Sequence, residues 1–258
     1  MSQKYKSRAE IHHSSRRSRK KPRKKRGFRR FLNFVGILLI LTGVGLLLLD
    51  PIKNHFIRER TNMNTVANVS RDDIVRNSGA NVSFDWTNIS ALDARQVLMS
   101  NVNPEDLPVI GGLAMPELGM NLPIYKGASQ EGMFYGAGTL YPEQEMGKSN
   151  YSIASHHSIH KDLLFAPLLH AEYGQKIYLT DLEKIYEYEV TNIETVSPDR
   201  VDVTYPTEVP TITMITCDSG LVNRVIVQGT LKETYTINDA PKESLDAFKI
   251  KQTVPEQN

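Results

Sequence analysis

Cysteine is almost missing from this 258-residue chain, occurring once, at position 217. A single thiol excludes an internal disulfide and any zinc cluster built on several cysteines. It leaves two readings open, a small buried hydrophobe or a reactive nucleophile, and the count does not separate them. Acidic residues are nearly absent from the first 30 positions, where 14 Lys/Arg stand against Glu10 alone. After position 50 the balance reverses, with 17 Lys/Arg against 27 Asp/Glu. The net charge of +2 therefore conceals two halves of opposite sign, which are not expected to share a compartment. Internal repeats are lacking, and so, with one exception, are long apolar runs.

The exception is Phe31–Leu49, FLNFVGILLILTGVGLLLL, which has no charge and only Asn33 and Thr42 as polar interruptions. A helix of that length rises about 28 Å, close to the hydrocarbon thickness of a bilayer. The run is long for a secretory signal, and Asp50 and Pro51 follow it in place of a small-residue cleavage pattern. An uncleaved single-pass anchor over residues 31–50 is expected. The basic block of residues 1–30 stays cytoplasmic by the positive-inside rule, and everything after the span lies outside the cell. The same block has the charge of a nucleic-acid-binding arm, but it is short, poor in aromatics and abuts an apolar span. Topology and attraction to anionic lipid account for it, so no nucleic-acid partner is expected.

Residues 51–105 read as an extracellular stalk and lead-in. Ser70 with Asp73 forms a capping pattern ahead of a short helix that Gly79 would stop, and Ser90 with Asp93 opens a second helical stretch, ended before Asn103-Pro104. From Leu107 the texture changes to short β-type runs broken by Gly, Pro and Asn, among them MFYGAG, YSIASHH, RVDVTY, TITMITC and RVIVQGTL. Lys184–Val196 alternates with a period of two, as a half-buried strand does. Only LLFAPLLH (163–170) reads as a short helix or turn. The pattern indicates an all-β barrel or sandwich over residues 106–238, with 239–258 as a loose charged tail.

Three features can carry chemistry. Thr211–Thr216 is a β-branched run ending on Cys217; Ser155-His156-His157 ends the run YSIA; Arg224 opens RVIVQG a short turn after Cys217. A thiol near its ordinary pKa of about 8.5 is mostly protonated at neutral pH and needs a base or cationic neighbours. His156 can exchange that proton and later protonate a leaving amine, while Arg224 keeps its charge and can hydrogen-bond an oxyanion. Taken singly, each residue is ordinarily structural or solvated. Their joint position at three strand ends of an exported domain points to acyl transfer.

These residues resemble a known family. TITMITC is similar to the TLxTC signature of sortases, with Ile212 for the usual Leu and Met214 in the variable position, which puts Cys217 at the nucleophile. SIASHH resembles the segment around the family's histidine, which maps to His156, and Arg224 matches the arginine opening the next strand. LPVIGGLAMPELGMNLPIYKG, FYGAGTLYPEQEMGKSNYSIASHH and GQKIYLTD extend the resemblance, over roughly residues 70–238, to class A housekeeping sortases of streptococcal type.

The resemblance implies a closed eight-stranded β-barrel with short helices. It implies cleavage of LPxTG-like sorting signals between Thr and Gly through a thioester, with transfer to an amine of lipid II or peptidoglycan. Secreted proteins bearing the signal are then the substrates. By the same analogy Ala137, Ala154 and the loop around Val201 line a groove for the Leu-Pro part, with Ile215 and Thr216 flanking the catalytic residues. Some relatives bind calcium; here Lys148 falls among the acids Glu143 and Glu145, so no metal is expected. A hydrolytic cysteine peptidase and a non-enzymatic β-barrel binding module remain as alternatives.

Overall fold

The computed structural model describes residues 26–249 apart from Thr87, Asn88, Ser90, Asn101 and Ile159. Most of the basic block, Ser90 as a helix cap and the last residues of the charged tail lie outside that set. The chain divides into two units between Leu47 and Leu48.

Helix α1 (Arg26–Met63) contains the apolar run and is long and apolar enough to cross a membrane. Its apolar side chains, including Phe31, Leu39, Ile40 and Leu47, are exposed rather than packed on protein, as suits a helix solvated by lipid. The hydroxyl of Thr42 donates to the Leu38 carbonyl at 2.9 Å, so one polar interruption is satisfied within the helix. Pro51 lies inside α1 and has no N–H to offer Leu47.

In the second unit, eight strands close into a barrel. They are β1 (Val109–Met115), β2 (Met120–Tyr125), β3 (Ala137–Thr139), β4 (Asn150–Ala154), β5 (Lys176–Thr180), β6 (Lys184–Val196), β7 (Thr211–Cys217) and β8 (Arg224–Thr236). Their order is β1-β2-β3-β4-β7-β8-β6-β5, and β5 returns to β1. The β2–β3 and β4–β7 pairs are parallel, and the remainder antiparallel. Leu113, Leu122, Ile153, Ile177, Ile212 and Met214 share the buried interior. Closure leaves no unpaired sheet edge.

Two runs read as strands fold otherwise. Within MFYGAG, Met133–Tyr135 belong to helix α4 (Gln130–Tyr135), which starts because the Ser129 hydroxyl accepts from the Gly132 N–H at 2.9 Å. RVDVTY becomes a 3-10 turn, Val201–Thr204. There the Thr204 hydroxyl donates to the Val201 carbonyl at 2.7 Å and Arg200 pairs with Asp202, so local bonds outcompete the ladder.

The lead-in is part of the core. Ile57 and Val97 join the interior cluster, and Ile74 is buried. Asn64 Nδ2 donates to the Pro104 carbonyl at 2.6 Å and the Tyr125 hydroxyl at 3.0 Å. Val66 rests on β1 at Gly112, where an added Cβ would come within 2.8 Å of it. Helix α2 (Arg71–Ser78) carries the full Ser70/Asp73 capping box, and α3 (Ala94–Met99) starts at Asp93, whose carboxylate accepts from Arg95 N at 2.6 Å. The tail also departs from its loose reading: α5 (Lys242–Ala247) buries Ala247 and Phe248, and Asn121 Nδ2 holds the Phe248 carbonyl at 2.9 Å.

Candidate active site

Strand register brings the three chemistry-bearing residues together. In the parallel β4–β7 ladder Ala154 stands beside Ile215, and Ser155 N donates to the Ile215 carbonyl at 3.2 Å. The ladder ends there, with His156 two residues beyond Ala154 and Cys217 two beyond Ile215. On the other side, Cys217 is the antiparallel partner of Arg224. All three line one cleft of about 430 Å³, together with Ala154, Val201 and Ile215.

His156 is 5% exposed, and its ring stacks on Phe134 at 5.7 Å between centroids and 28° between planes. Its Nε2 lies 3.4 Å from Gln130 Nε2, and its carbonyl accepts from Phe165 N at 3.3 Å. Burial pushes the imidazole down to about 4, so it is neutral at physiological pH. Burial pushes the Cys217 thiol up; Arg224 opposes that shift and Asp218 adds to it. Burial thus favours the uncharged form of each, a thiol and a neutral imidazole lining one cleft.

The turn joining β7 to β8 is braced by Asp218. Its carboxylate accepts from Val222 N at 2.9 Å and Asn223 Nδ2 at 3.1 Å, while Leu221 takes a left-handed φ of 57°. Arg224 Nη1 donates to the Asn223 carbonyl at 3.3 Å, and among the described residues no carboxylate pairs with this guanidinium. Its fork is therefore open to an incoming oxyanion or carbonyl.

Ala154, Val201, Ile215 and Thr216 all border the cleft. Thr216 does so with its side chain buried, and its hydroxyl has no partner among the described residues. Ala137 does not border it: the residue is wholly buried in the barrel core on β3, paired with Ile124. Conversely, Trp86, Ile89 and Ala91 from the lead-in form part of the wall. Trp86 and Ile89 pack with Met133, Leu140, Ala154 and Ile215. Reading that stretch as a stalk conceals them; the available signal was the chain's one tryptophan in an otherwise polar segment.

A roomier cavity of about 570 Å³ borders the other side of the Val201–Thr204 turn, lined by Tyr141, Glu143, Glu145, Lys148 and Tyr205 among others. It contains none of the three residues, so size alone does not locate the chemistry. Lys148 Nζ sits 2.5 Å from Glu145. Among the described residues no group of three or more His, Cys, Asp or Glu is placed to hold a metal.

Comparison with known proteins is consistent with this geometry. The family model for the sortase domain matches residues 113–232. The chain is 37% identical to sortase A of Streptococcus agalactiae over 240 residues, which is 89% of this chain and 97% of that protein. Against sortase A of Listeria monocytogenes it is 32% identical over 202 residues, 78% of this chain and 91% of the relative. The crystal structure of Listeria monocytogenes sortase A superposes with a TM-score of 0.51 at 37% identity, covering 56% of this chain and 98% of that one.

Proposed function

The chain belongs to the sortase family of cysteine transpeptidases, and from that premise we propose the residues, substrates and membrane topology through which it works. The family relationship favours neither a hydrolytic peptidase nor a non-enzymatic binding module. The substrates are secreted proteins carrying an LPxTG-like sorting signal, cut between Thr and Gly. The acceptor is an amine of lipid II or peptidoglycan, and the product is a surface protein anchored to the wall.

Cys217 is the nucleophile. Its sulfur attacks the threonine carbonyl carbon as its proton passes to His156, and Arg224 hydrogen-bonds the oxygen that becomes negative. Collapse of this tetrahedral adduct breaks the Thr–Gly C–N bond, and His156 returns the proton to the departing glycine amine. The acceptor amine then attacks the thioester and gives its proton to His156. Cys217 leaves as a thiol, so protons and bonds balance over the cycle. The cleft supplies the apolar surface for Leu-Pro through Ala154, Val201 and Ile215.

Residues 1–30 lie in the cytoplasm, 31–50 cross the membrane, and the lead-in, barrel and tail (51–105, 106–238 and 239–258) face outward, where sorting signals and the lipid-linked acceptor both reside. Restriction to that surface raises the effective concentration of each reactant. Turnover needs no calcium, since Lys148 already neutralises Glu145.

The observation that carries this reading is the alignment of Cys217, His156 and Arg224 at one mouth of a single cleft. The test uses the full-length protein in detergent with an LPxTG peptide, with and without a glycine- or alanine-based amine. An amine-linked product is expected. Products of hydrolysis alone with every amine offered would replace transpeptidation with peptidase activity.

A further inference from the structure

The Val201–Thr204 turn is both a wall of the cleft and a short 3-10 segment with few internal bonds of its own. It is nonetheless tied to the barrel by a connected set of buried and half-buried side chains. Asn150 Nδ2 donates to the Val203 carbonyl within it and to the Tyr205 carbonyl just after it, each at 3.0 Å. Gln228 Nε2 adds a second donor to the Val203 carbonyl at 3.2 Å. The two anchors are cross-linked. The Thr213 hydroxyl donates to Asn150 Oδ1 at 2.7 Å and accepts from Gln228 Nε2 at 3.0 Å, while Asn192 Nδ2 donates to Gln228 Oε1 at 3.0 Å. Both amide N–H bonds of Asn150 and of Gln228 are thereby used. On the outer side Tyr141 and Thr204 share a hydroxyl–hydroxyl bond of 2.6 Å, and the Ser149 hydroxyl accepts from Thr207 N at 3.1 Å.

We infer that Asn150 and Gln228 are positioning residues for the transpeptidation, holding the Val201–Thr204 wall in its peptide-binding shape before the peptide arrives. Neither side chain borders the cleft, so each acts through the turn. What the turn presents is Val203, packed with Val196, Ile215 and Ile226 into the apolar floor. A wall that had to be ordered by the ligand would multiply the intrinsic affinity by the small fraction of chains already in the binding shape. Two saturated amides, both on the Val203 carbonyl and one also on that of Tyr205, keep that fraction high. Apolar residues at 150 and 228 would pack equally well but leave carbonyls buried without donors. This inference rests on the cleft being the peptide site.

The test measures peptide turnover by the full-length protein in detergent, comparing wild type with Asn150→Ala, Asn150→Asp and Gln228→Ala. Losing these hydrogen bonds is expected to raise the peptide KM about tenfold for either Asn150 variant and about threefold for Gln228→Ala, with kcat within about twofold. Asn150→Asp matters because it keeps the shape and removes the donors. Cys217 alkylation by a small haloacetamide is expected to be unchanged, and hydrogen exchange over residues 201–206 to quicken. An unchanged KM in the Asn150 variants, or a kcat loss at constant KM, overturns the inference. If the Asn150 variants do not fold, Gln228→Ala, at a half-buried position, decides by the same criteria. If wild type fails to process the peptide, the functional reading falls instead, and hydrogen exchange still reports whether Asn150 orders the turn.

Discussion

At the scale of single residues, the question is how Cys217, the proposed nucleophile, can attack when burial makes its thiol a weaker acid. Cys217 lies above its ordinary pKa and His156 at about 4, so burial disfavours the charged form of each. Burial therefore opposes a standing thiolate–imidazolium pair. In the proposed mechanism proton transfer accompanies attack, and Arg224 contributes most when negative charge appears on the substrate oxygen. Alkylation of Cys217 in the resting protein should therefore climb about tenfold per pH unit between pH 6 and 8, following the small thiolate fraction. Stopped-time alkylation with mass readout measures this, and a plateau by pH 7 would mean a preformed ion pair. Arg224→Lys keeps the charge but loses the planar fork, and kcat should fall by about 100-fold or more. Near-normal turnover would remove Arg224 from the mechanism. Among the residues read from the sequence, those marked by chemistry at strand ends converge in the structure. Ala137 does not, because alanine carries no signal of facing a groove or a core; only the pleat of β3 decides it.

Elements show where local sequence speaks and where packing overrides it. Lys184–Val196, read as one alternating strand, is β6 with the same bounds, but register shifts at Glu187/Tyr188 and Val190/Asn192 break the alternation, so Ile185 and Tyr188 are both buried. Val201–Thr204 looks like a strand by composition and folds as a turn, since the Thr204 hydroxyl binds the Val201 carbonyl and Asp202 pairs with Arg200. The lead-in looked polar enough to be a stalk because a few apolar residues on a helix are a weak signal. Yet Ile57 is fully buried in the barrel's cluster. Ile57→Ala should destabilise the protein by about 2–4 kcal/mol, seen as a lowered urea midpoint. An unchanged midpoint would mean that this part of α1 is only resting on the barrel. The same packing makes a soluble fragment starting near residue 80 a poor reagent, since it would lack Ile57, Val66 and Ile74.

For the molecule as a whole, the proposed topology rests on charge asymmetry and one long apolar helix among the described residues. That helix is legible in the sequence, because bilayer thickness sets a run length that few soluble segments match. Protease added to intact cells should remove the barrel while leaving an epitope at the N-terminus protected. Protection of the barrel and digestion of the N-terminal epitope would reverse the orientation. Barrel closure, in contrast, depends on pairings such as β5 with β1 that no local pattern announces. The composition of the cleft wall from lead-in, barrel and turn is likewise a property of the folded whole.

The most direct test of the central claim is to trap the covalent intermediate. The full-length protein would be mixed with an LPxTG peptide without an added amine, quenched in acid, and digested for mass spectrometry of the peptide containing Cys217. The account predicts a thioester of the peptide's threonine carbonyl on Cys217, absent in Cys217→Ala and discharged when an amine is added. Amine-linked product formed by Cys217→Ala, or an acyl group found on any other residue, would contradict it.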